Sequence, residues 1–230
     1  MDTFVVSTPS ASSDSSSSMT VVGNAIYLAW SENITGGEEG NEIFFSKSID
    51  GGNTFSEKLN LSQNDDDSRN PSIAAFHDAV HVVWSDQSVT PTHISEILYR
   101  RSLDGGQTFE TAKNLSNNPS SSLQPAIAAL GDRLYVAWSD NSAGNFVILS
   151  IESQNGGNTF GAVERLSNNP GDSRSPVIIA SESEIYVVWD VFPGGIFFIR
   201  SVDGGITFGA ATMMITNGSD PALAVSQNIA

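Results

Sequence analysis

The chain has 230 residues, no cysteine and a formal net charge of −16, with 26 acidic residues against 10 lysines and arginines. This charge argues against nucleic acid and anionic membranes as partners, because both require clustered lysine and arginine. The lack of cysteine excludes disulfides and thiol chemistry. No apolar run reaches the length of about 18 residues that predicts a membrane-spanning helix.

The first 18 residues predict a partial strand followed by a linker. Thr3–Ser7 has the pattern of the last strand of a repeat, without the strands that would precede it. The serine-rich segment after it cannot bury apolar area, so we expect a flexible connection up to Ser18. Few lysines, many asparagines and serines, and an acidic surface favour an extracellular or cell-surface location, although the N-terminus lacks the pattern of a signal peptide.

From residue 19 onwards a unit of 48 to 54 residues repeats four times, at about 19–67, 68–121, 122–172 and 173–217. Each unit contains four strand patterns, which we call A to D in chain order. Strand A has small and β-branched residues, strand B ends in a tryptophan, strand C leads into a glycine turn, and strand D follows that turn. The four tryptophans are Trp30, Trp84, Trp138 and Trp189.

A four-stranded sheet with an apolar face on each side is not stable alone, so neighbouring sheets must stack. The sequence therefore predicts an all-β chain, a β-propeller of four-stranded antiparallel blades with four full repeats plus partial strands at both termini. The tryptophans are predicted to form the core between blades, and the tyrosines three residues before three of them are expected to belong to the scaffold. Residues 218–230 predict the start of a fifth blade or an interface strand.

Three arrangements of the ends stay open at this point. The chain could form four blades with ordered tails, it could be a fragment of a longer propeller, or its exposed blade edges could pair with another copy. Unpaired strand edges promote association, so the third arrangement predicts homo-oligomers or filaments.

Between strands C and D every unit carries the same turn, at Ser48–Phe55, Ser102–Phe109, Ser153–Phe160 and Ser201–Phe208. Glycine supplies positive φ, and the aspartate side chain accepts hydrogen bonds from nearby backbone N–H groups. The pattern Ser-x-Asp-x-Gly-x-Thr-Phe resembles the Asp-box, or BNR repeat, of sialidase-type β-propellers, and the resemblance covers about residues 19–225. A structural role is expected for its acidic or amide residue and its phenylalanine: Asp50, Asp104, Asn155 and Asp203, and Phe55, Phe109, Phe160 and Phe208.

Strand order places the A–B turns and the Asp-box turns at one end of each blade, and the B–C and D–A loops at the other, where propellers commonly bind ligands. Acidic residues end the B strands, and an arginine precedes strand A in two units. The predicted ligand-binding residues at this loop end are Glu32, Asp86, Asp140, Asp190, Arg69 and Arg174.

The resemblance to sialidases implies a trio of arginines that clamps a substrate carboxylate. At the matching positions of the other blades this chain has Ser17, Leu123 and Ser219, so these loops do not supply a trio. A sialidase nucleophile would be a tyrosine assisted by a glutamate. All four tyrosines fall on repeated scaffold positions, and no catalytic residue is predicted.

A calcium site at Asp65–Asp67 is a further hypothesis, because hard cations prefer several oxygen ligands. Adjacent carboxylates in an extended loop point in different directions, which favours a solvated acidic loop without a metal. The three histidines show no zinc-ligand spacing. Apart from that calcium hypothesis, no cofactor is expected.

The function expected from the sequence is a non-catalytic extracellular binding or self-assembly module for a glycan, a protein or a like subunit. Two alternatives stay open: a sialidase-type exo-glycosidase, degenerate or incomplete in this chain, and a structural subunit of a fibre or surface layer. The choice depends on loop details that the fold does not specify.

Overall fold

The computed structural model describes residues 16–34, 40–90, 92–181 and 183–224. These residues form sixteen strands and no helix, so the predicted all-β class is confirmed. The strands make four antiparallel sheets of four strands each, as expected for propeller blades. The described residues therefore include no helix that could span a membrane.

Each blade is built from four consecutive strands. Blade 1 contains β1 (Ser17–Val22), β2 (Ala25–Asn33), β3 (Asn41–Ser48) and β4 (Leu59–Asn60). Blade 2 contains β5 (Ser68–Phe76), β6 (Ala79–Asp86), β7 (Glu96–Ser102) and β8 (Lys113–Asn114). Blade 3 contains β9 (Ser122–Leu130), β10 (Arg133–Asp140), β11 (Val147–Ser153) and β12 (Glu164–Arg165). Blade 4 contains β13 (Asp172–Ser181), β14 (Glu184–Phe192), β15 (Gly195–Ser201) and β16 (Thr212–Thr216).

The chain divides into two compact units, Met1–Pro125 and Ala126–Ala230. Blades 1 and 2 belong to the first unit. Blades 3 and 4 belong to the second, except that β9 begins in the first. Each unit has its own apolar cluster between its two blades.

In the first unit, the apolar cluster joins the facing sides of blades 1 and 2. Side chains alternate across a strand, so β2 turns Tyr27 and Ala29 into the cluster while β6 turns Val80, Val82 and Trp84 into it. Trp84 is fully buried. The second unit repeats this arrangement with Tyr135 and Ala137 from β10 and with Ile185, Val187 and Trp189 from β14. All four tryptophans are buried, and the prediction of a core between blades is confirmed for Trp84 and Trp189.

The turns between strands C and D, which we call the repeat turns, pair the same positions in all four blades, with one donor reversed in blade 3, where the Asn155 amide donates to the Thr159 hydroxyl at 2.8 Å. In blade 1 the Ser48 hydroxyl donates to Asp50 Oδ1 (2.7 Å) and accepts from the Gly52 N–H (2.9 Å). Asp50 also accepts from the Thr54 N–H (2.9 Å) and from the Thr54 hydroxyl (2.7 Å). In blade 3 the Asn155 amide oxygen accepts from the Thr159 N–H at 2.9 Å. An amide therefore replaces the carboxylate without loss of the turn.

The repeat turns also hold neighbouring blades together. In the first unit, the Lys47 ammonium of blade 1 donates to the Gly105 carbonyl of the blade 2 turn (2.6 Å). In the second unit, the Tyr135 hydroxyl of blade 3 donates to the Gly204 carbonyl of the blade 4 turn (2.9 Å). The next glycine gives the blades room to approach: a Cβ on Gly106 would lie 2.5 Å from Cζ of Phe45. Only glycine therefore fits this left-handed position, where φ is +75°.

Three of the four D strands are shorter than predicted. The sequence pattern predicts Lys58–Ser62, yet β4 contains only Leu59 and Asn60. After these two residues the chain turns inward: the buried Leu61 donates its N–H to the Ile43 carbonyl (2.6 Å), and the Ser62 hydroxyl accepts the Ile43 N–H (2.8 Å). The serine thus replaces a backbone carbonyl, and the same pattern shortens β8 and β12. The longer β16 spans the predicted residues, Thr212–Thr216.

The A strands of blades 2, 3 and 4 share one feature at their entry that β1 lacks. The residue before the proline has positive φ: Asn70 at 54°, Gln124 at 54° and Ser175 at 51°. β5 and β13 also carry a bulge there. Asp220, which precedes Pro221, has a φ of 52°, although residues 218–224 contain no strand. β1 has no bulge and begins at Ser17, inside the predicted linker. The residue before this strand, Ser16, contacts Ser31. Thr3–Ser7 and residues 225–230 lie outside the described residues.

His81 of blade 2 occupies the position at which the other blades have tyrosine. It is buried, and its Nδ1 lies 2.9 Å from the Tyr99 hydroxyl. Burial, helped by the nearby Arg101, lowers the pKa of His81 from 6.5 to about 4. The folded state therefore favours neutral histidine, and protonation favours unfolding.

We predict that His81 makes the protein less stable as the pH falls from about 6.5 to about 4, by about 2 to 3 kcal/mol. Over this range the unfolded chain binds the proton and the folded chain does not. Urea unfolding of wild type and His81→Tyr at pH 7 and pH 4.5 measures the effect. A wild-type loss of stability no larger than that of His81→Tyr would contradict the prediction.

A second prediction concerns the repeat turns. Their hydrogen bonds lower the pKa of Asp50 and of Asp203 to about 2. These carboxylates therefore stabilise the fold above the usual carboxyl pKa, and that stabilisation is lost as the pH falls toward 2. In thermal melts at pH 7, Asp50→Asn should stay close to wild type, as Asn155 does naturally, whereas Asp50→Ala should melt at a lower temperature. Equal melting of the two variants would show that the side-chain acceptor is dispensable.

Candidate functional site

The two ends of each blade carry different groups, as strand order predicts. At one end, the first glycine of each repeat turn donates its N–H to the A–B turn of the same blade, for example Gly51 to the Asn24 carbonyl (3.0 Å). At the other end the B–C and D–A loops meet, as shown by the Gln87 N–H, which donates to the Asp67 carbonyl at 3.1 Å. The candidate site residues lie at this second end, which we call the loop end.

Three of the predicted acidic residues have the same internal role. Asp86 Oδ2 accepts the indole N–H of Trp84 at 2.7 Å, and it also accepts the Ser68 hydroxyl at 2.9 Å and the Asn64 amide at 3.1 Å. Asp140 accepts the indole N–H of Trp138 at 3.2 Å. Both carboxylates are fully buried. Glu32 accepts the indole N–H of Trp30 at 3.1 Å and pairs with Lys58 at 2.6 Å. These carboxylates cap their own blades.

Asp190 differs from these three residues. Its place at the end of a B strand predicts the same role, but it follows Trp189 directly, whereas the others lie two residues after their tryptophan. Since strand faces alternate, Asp190 points to the opposite side of its sheet. Neither Asp190 Oδ1 nor Trp189 Nε1 has a hydrogen-bond partner among the described residues, and both atoms are buried. Burial, with a contribution from Asp220, raises the pKa of Asp190, against the opposing effect of Arg174.

Two buried glutamates at the loop end were not predicted. Glu42 and Glu96 begin the C strands of blades 1 and 2, and they are 1% and 2% exposed. Each accepts a serine hydroxyl and a backbone N–H from its own D–A loop: Ser62 and Asn64 for Glu42, and Ser116 and Asn118 for Glu96. The signal that could have found them is their matching position at the start of two C strands. They hold the D–A loops in place.

Arg69 lines a cleft of about 360 Å³ at the loop end of the first unit. The other lining residues are Asp67, Asn70, Ser85, Gln87, Ser95 and Leu123. The Arg69 Nε donates to Asp67 Oδ2, and Asp67 Oδ1 accepts the Asn41 amide at 2.7 Å. The arginine side chain is 29% exposed and the Asp67 side chain is 9% exposed. Asp67 is therefore held in the interior by Asn41, while Arg69 faces the cleft.

Arg174 occupies the equivalent position in the second unit, and its surroundings are different. Its guanidinium carbon lies 3.7 Å from the centroid of the Phe146 ring, and Nη2 lies 3.3 Å from Asp172 Oδ2. Arg174 is opposite Asp190 in the β13–β14 ladder. The structure therefore groups Arg174, Asp172 and Asp190 in one place, and Arg69 and Asp67 in another.

The acidic segment Asp65–Asp67 does not converge on one point. Asp66 Oδ1 lies 2.7 Å from His93 Nδ1, while Asp67 pairs with Arg69 and Asn41. Within residues 16–34, 40–90, 92–181 and 183–224, no three acidic or histidine side chains are placed to hold a metal ion.

The tyrosines make contacts away from the loop end. Tyr135 donates to the repeat turn of blade 4, and Tyr99 lies beside His81. Tyr186 donates to Glu184, which begins β14, whereas Arg174 and Asp190 meet near the other end of that strand. A tyrosine–glutamate pair is thus present, and Arg200 pairs with its glutamate, but it lies away from Arg174.

No family model matches the sequence, and a search of curated protein sequences finds no match. Solved structures do match in fold. A Hadza microbial sialidase aligns with a TM-score of 0.67 at 14% identity, over 88% of this chain and 47% of that chain. An α-L-arabinofuranosidase of Fusarium graminearum, in complex with an iminosugar inhibitor, aligns with a TM-score of 0.61 at 16% identity, over 87% and 66%. A Penicillium chrysogenum α-L-arabinanase, in complex with arabinobiose, gives 0.59 and 14%, over 84% and 65%.

The chain thus spans about half the length of the sialidase and about two thirds of each arabinose-processing enzyme. Identities this low establish the fold and not the activity. The chain shares the β-propeller fold of these glycosidases.

Proposed function

We propose that the protein is an extracellular carbohydrate-binding propeller whose site is the Arg69 cleft at the loop end of the first unit. The cleft offers guanidinium, amide and hydroxyl groups beside a single leucine. Such a mixture of donors and acceptors suits the hydroxyl groups of a sugar. The glycosidase neighbours, two of which were solved with sugar-like ligands, support carbohydrate as the ligand class.

The observation that carries this proposal is the fixed ion pair between Arg69 and Asp67. Because Asp67 neutralises the guanidinium, the cleft has no free positive charge to attract a carboxylate. The net charge of −16 also repels anionic ligands. We therefore infer that the ligand is a neutral glycan rather than a sialoside.

The binding role is proposed as non-catalytic because the carboxylates that adjoin the lining residues in sequence have internal roles. Asp86 and Glu96 are buried and accept hydrogen bonds from their own blade. A glycosidase needs two carboxyl groups that reach the scissile bond. Asp67, the acid that does line the cleft, is paired with Arg69.

One observation favours the alternative, an exo-glycosidase. In the second unit Asp190 lies opposite Arg174 with a buried oxygen, and burial raises its pKa, which is the direction of shift that a general acid needs. If the protein is a hydrolase, Asp190 is the acid we expect it to use, with Arg174 as the group that orients the sugar.

The test of the main proposal is titration of the protein with arabinobiose by calorimetry, next to 3′-sialyllactose. We expect arabinobiose to bind and Arg69→Ala to weaken it by about tenfold or more, since a charge-assisted hydrogen bond contributes about 1.5 to 3 kcal/mol. Arg174→Ala is the matched control, because it removes the equivalent arginine of the other unit, and it should bind as wild type does.

Hydrolysis is measured in parallel with fluorogenic arabinoside and sialoside substrates. Turnover that disappears in Asp190→Asn would replace the binding proposal by the glycosidase alternative. Tighter binding of sialyllactose than of arabinobiose would contradict the choice of a neutral glycan.

Self-association is a second proposed property, and its proposed occupant is another copy of this chain. Met19 and Val21 of β1 are 61% and 54% exposed. Ser18, which lies between them and Ser17 in the chain order of β1, points to blade 2, where its hydroxyl accepts the Ile73 N–H. Met19 and Val21 therefore lie on the face of blade 1 that turns away from blade 2, next to Leu28 and Ile26 in the ladder. The blade 1–blade 2 interface shows that faces of this composition pack together in this chain.

Multi-angle light scattering tests this property over a range of protein concentrations. Wild type should show dimers or larger species, and Val21→Asp should shift the mass to that of the monomer. Val89→Asp, which changes an exposed valine in a loop, is the control and should not. A wild-type monomer at high concentration would contradict the proposal.

A further inference from the structure

Strand C of blade 3 departs from the other blades at two positions. In the other three blades, the residue directly before the B-strand tryptophan pairs with an aromatic residue of strand C. These pairs are Ala29 with Phe45, Val83 with Tyr99, and Val188 with Phe198. Blade 3 has Ser150 opposite Ala137. Two residues later, Lys47, Arg101 and Arg200 are replaced by Glu152. Blade 3 has therefore lost one aromatic ring and exchanged a cation for a carboxylate.

Both departures line the same pocket, a space of about 390 Å³ in the second unit. Its walls include Ser150, Glu152, Tyr135, Phe160, Ile178 and Phe208. In the first unit the equivalent position is occupied by the Phe45 ring, which packs edge-on against Phe109 at 5.0 Å. Phe208 is the blade 4 residue that corresponds to Phe109, and here it faces the pocket instead of a ring. The pocket is thus the volume that an aromatic side chain fills elsewhere in the chain.

The charge of the pocket is also reversed. In the first unit, Lys47 donates to the carbonyl of the adjacent repeat turn. In the second unit Tyr135 and Arg133 donate to the equivalent carbonyl, that of Gly204, at 2.9 and 3.0 Å. Glu152 has no such role. Its Oε1 is buried and has no hydrogen-bond partner in the described part of the chain.

The groups around Glu152 shift its pKa in opposite directions. Burial and the neighbouring Glu164 raise the pKa of Glu152, while Arg133 and a hydrogen bond from Gln154 lower it, and the net direction is upward. A carboxylate with one buried oxygen that lacks a hydrogen-bond partner gains more from a new cationic partner than an exposed carboxylate does. A ligand that supplies a cation would therefore stabilise the ionised form of Glu152.

We propose that this pocket binds a small organic cation in which an ammonium group is joined to an aromatic ring. The ring would take the place of the missing aromatic side chain against Phe160 and Phe208, and the ammonium would pair with Glu152. The pocket is at the repeat-turn end of blade 3, so the inference does not rest on the glycan site at the loop end.

The test uses 2-phenylethylamine as the probe and saturation-transfer NMR with calorimetric titration as the readout. We expect 2-phenylethylamine to bind at pH 7.5, and 2-phenylethanol, which is neutral, to bind about tenfold more weakly or worse. Glu152→Gln should reduce amine binding about as much. Amine binding should weaken as the pH falls and Glu152 becomes protonated, and it should not strengthen.

A second variant fills the pocket with the residue found in the other blades. Ser150→Phe should abolish amine binding and raise the melting temperature, because it replaces a cavity by a buried ring. Glu57→Gln removes an exposed carboxylate of blade 1 and serves as the charge-matched control, with binding unchanged. The proposal is overturned if Ser150→Phe binds the amine as wild type does, or if 2-phenylethanol binds equally well. If Ser150→Phe does not fold, Glu152→Gln and the neutral probe still decide the matter.

Discussion

The packing of neighbouring blades depends on the repeat turns. Each turn fixes its own backbone through a serine and an aspartate or asparagine, and the turns of blades 2 and 4 present a carbonyl and a glycine to the other blade of their unit. In the first unit Lys47 reaches the carbonyl of Gly105 and Phe45 packs on Gly106. In the second unit Tyr135 makes both contacts, with Gly204 and Gly205. A sheet with two apolar faces is stable only against a neighbour, so a turn that orients the neighbour determines the architecture.

Most of the fold could be predicted from the sequence because the repeat consists of residues whose type and spacing indicate the local backbone structure. Glycine pairs predict turns and alternating apolar residues predict strands, so all sixteen strands were anticipated. The D strands were predicted too long because Ser62, Ser116 and Ser167 read as strand residues. They in fact accept backbone N–H groups of the C strand in place of a carbonyl. A serine that imitates a carbonyl cannot be recognised before its partner is known.

The candidate site was predicted less completely. Its location at the loop end followed from strand order, and Arg69 lines a cleft there. The role of the acids could not be predicted, because it depends on which face of the strand each one occupies. A difference of one residue separates Asp140, which caps Trp138, from Asp190, which leaves Trp189 without that bond. The exchange of an aromatic residue for Ser150 was visible in the sequence, but only the pairing register shows that it opens a pocket beside Glu152.

The residues in left-handed conformation before the A-strand prolines have a consequence for recognition. Asn70 and Ser175 adopt positive φ, and each is followed by a proline. The proline ring disfavours the right-handed helical region for the residue before it. Few backbone states are left to these segments even before a ligand arrives. The arginines immediately before them, Arg69 and Arg174, therefore project from a backbone that is already rigid. Ligand binding at the loop end would cost side-chain freedom but little main-chain entropy, so even a shallow cleft can hold a small molecule.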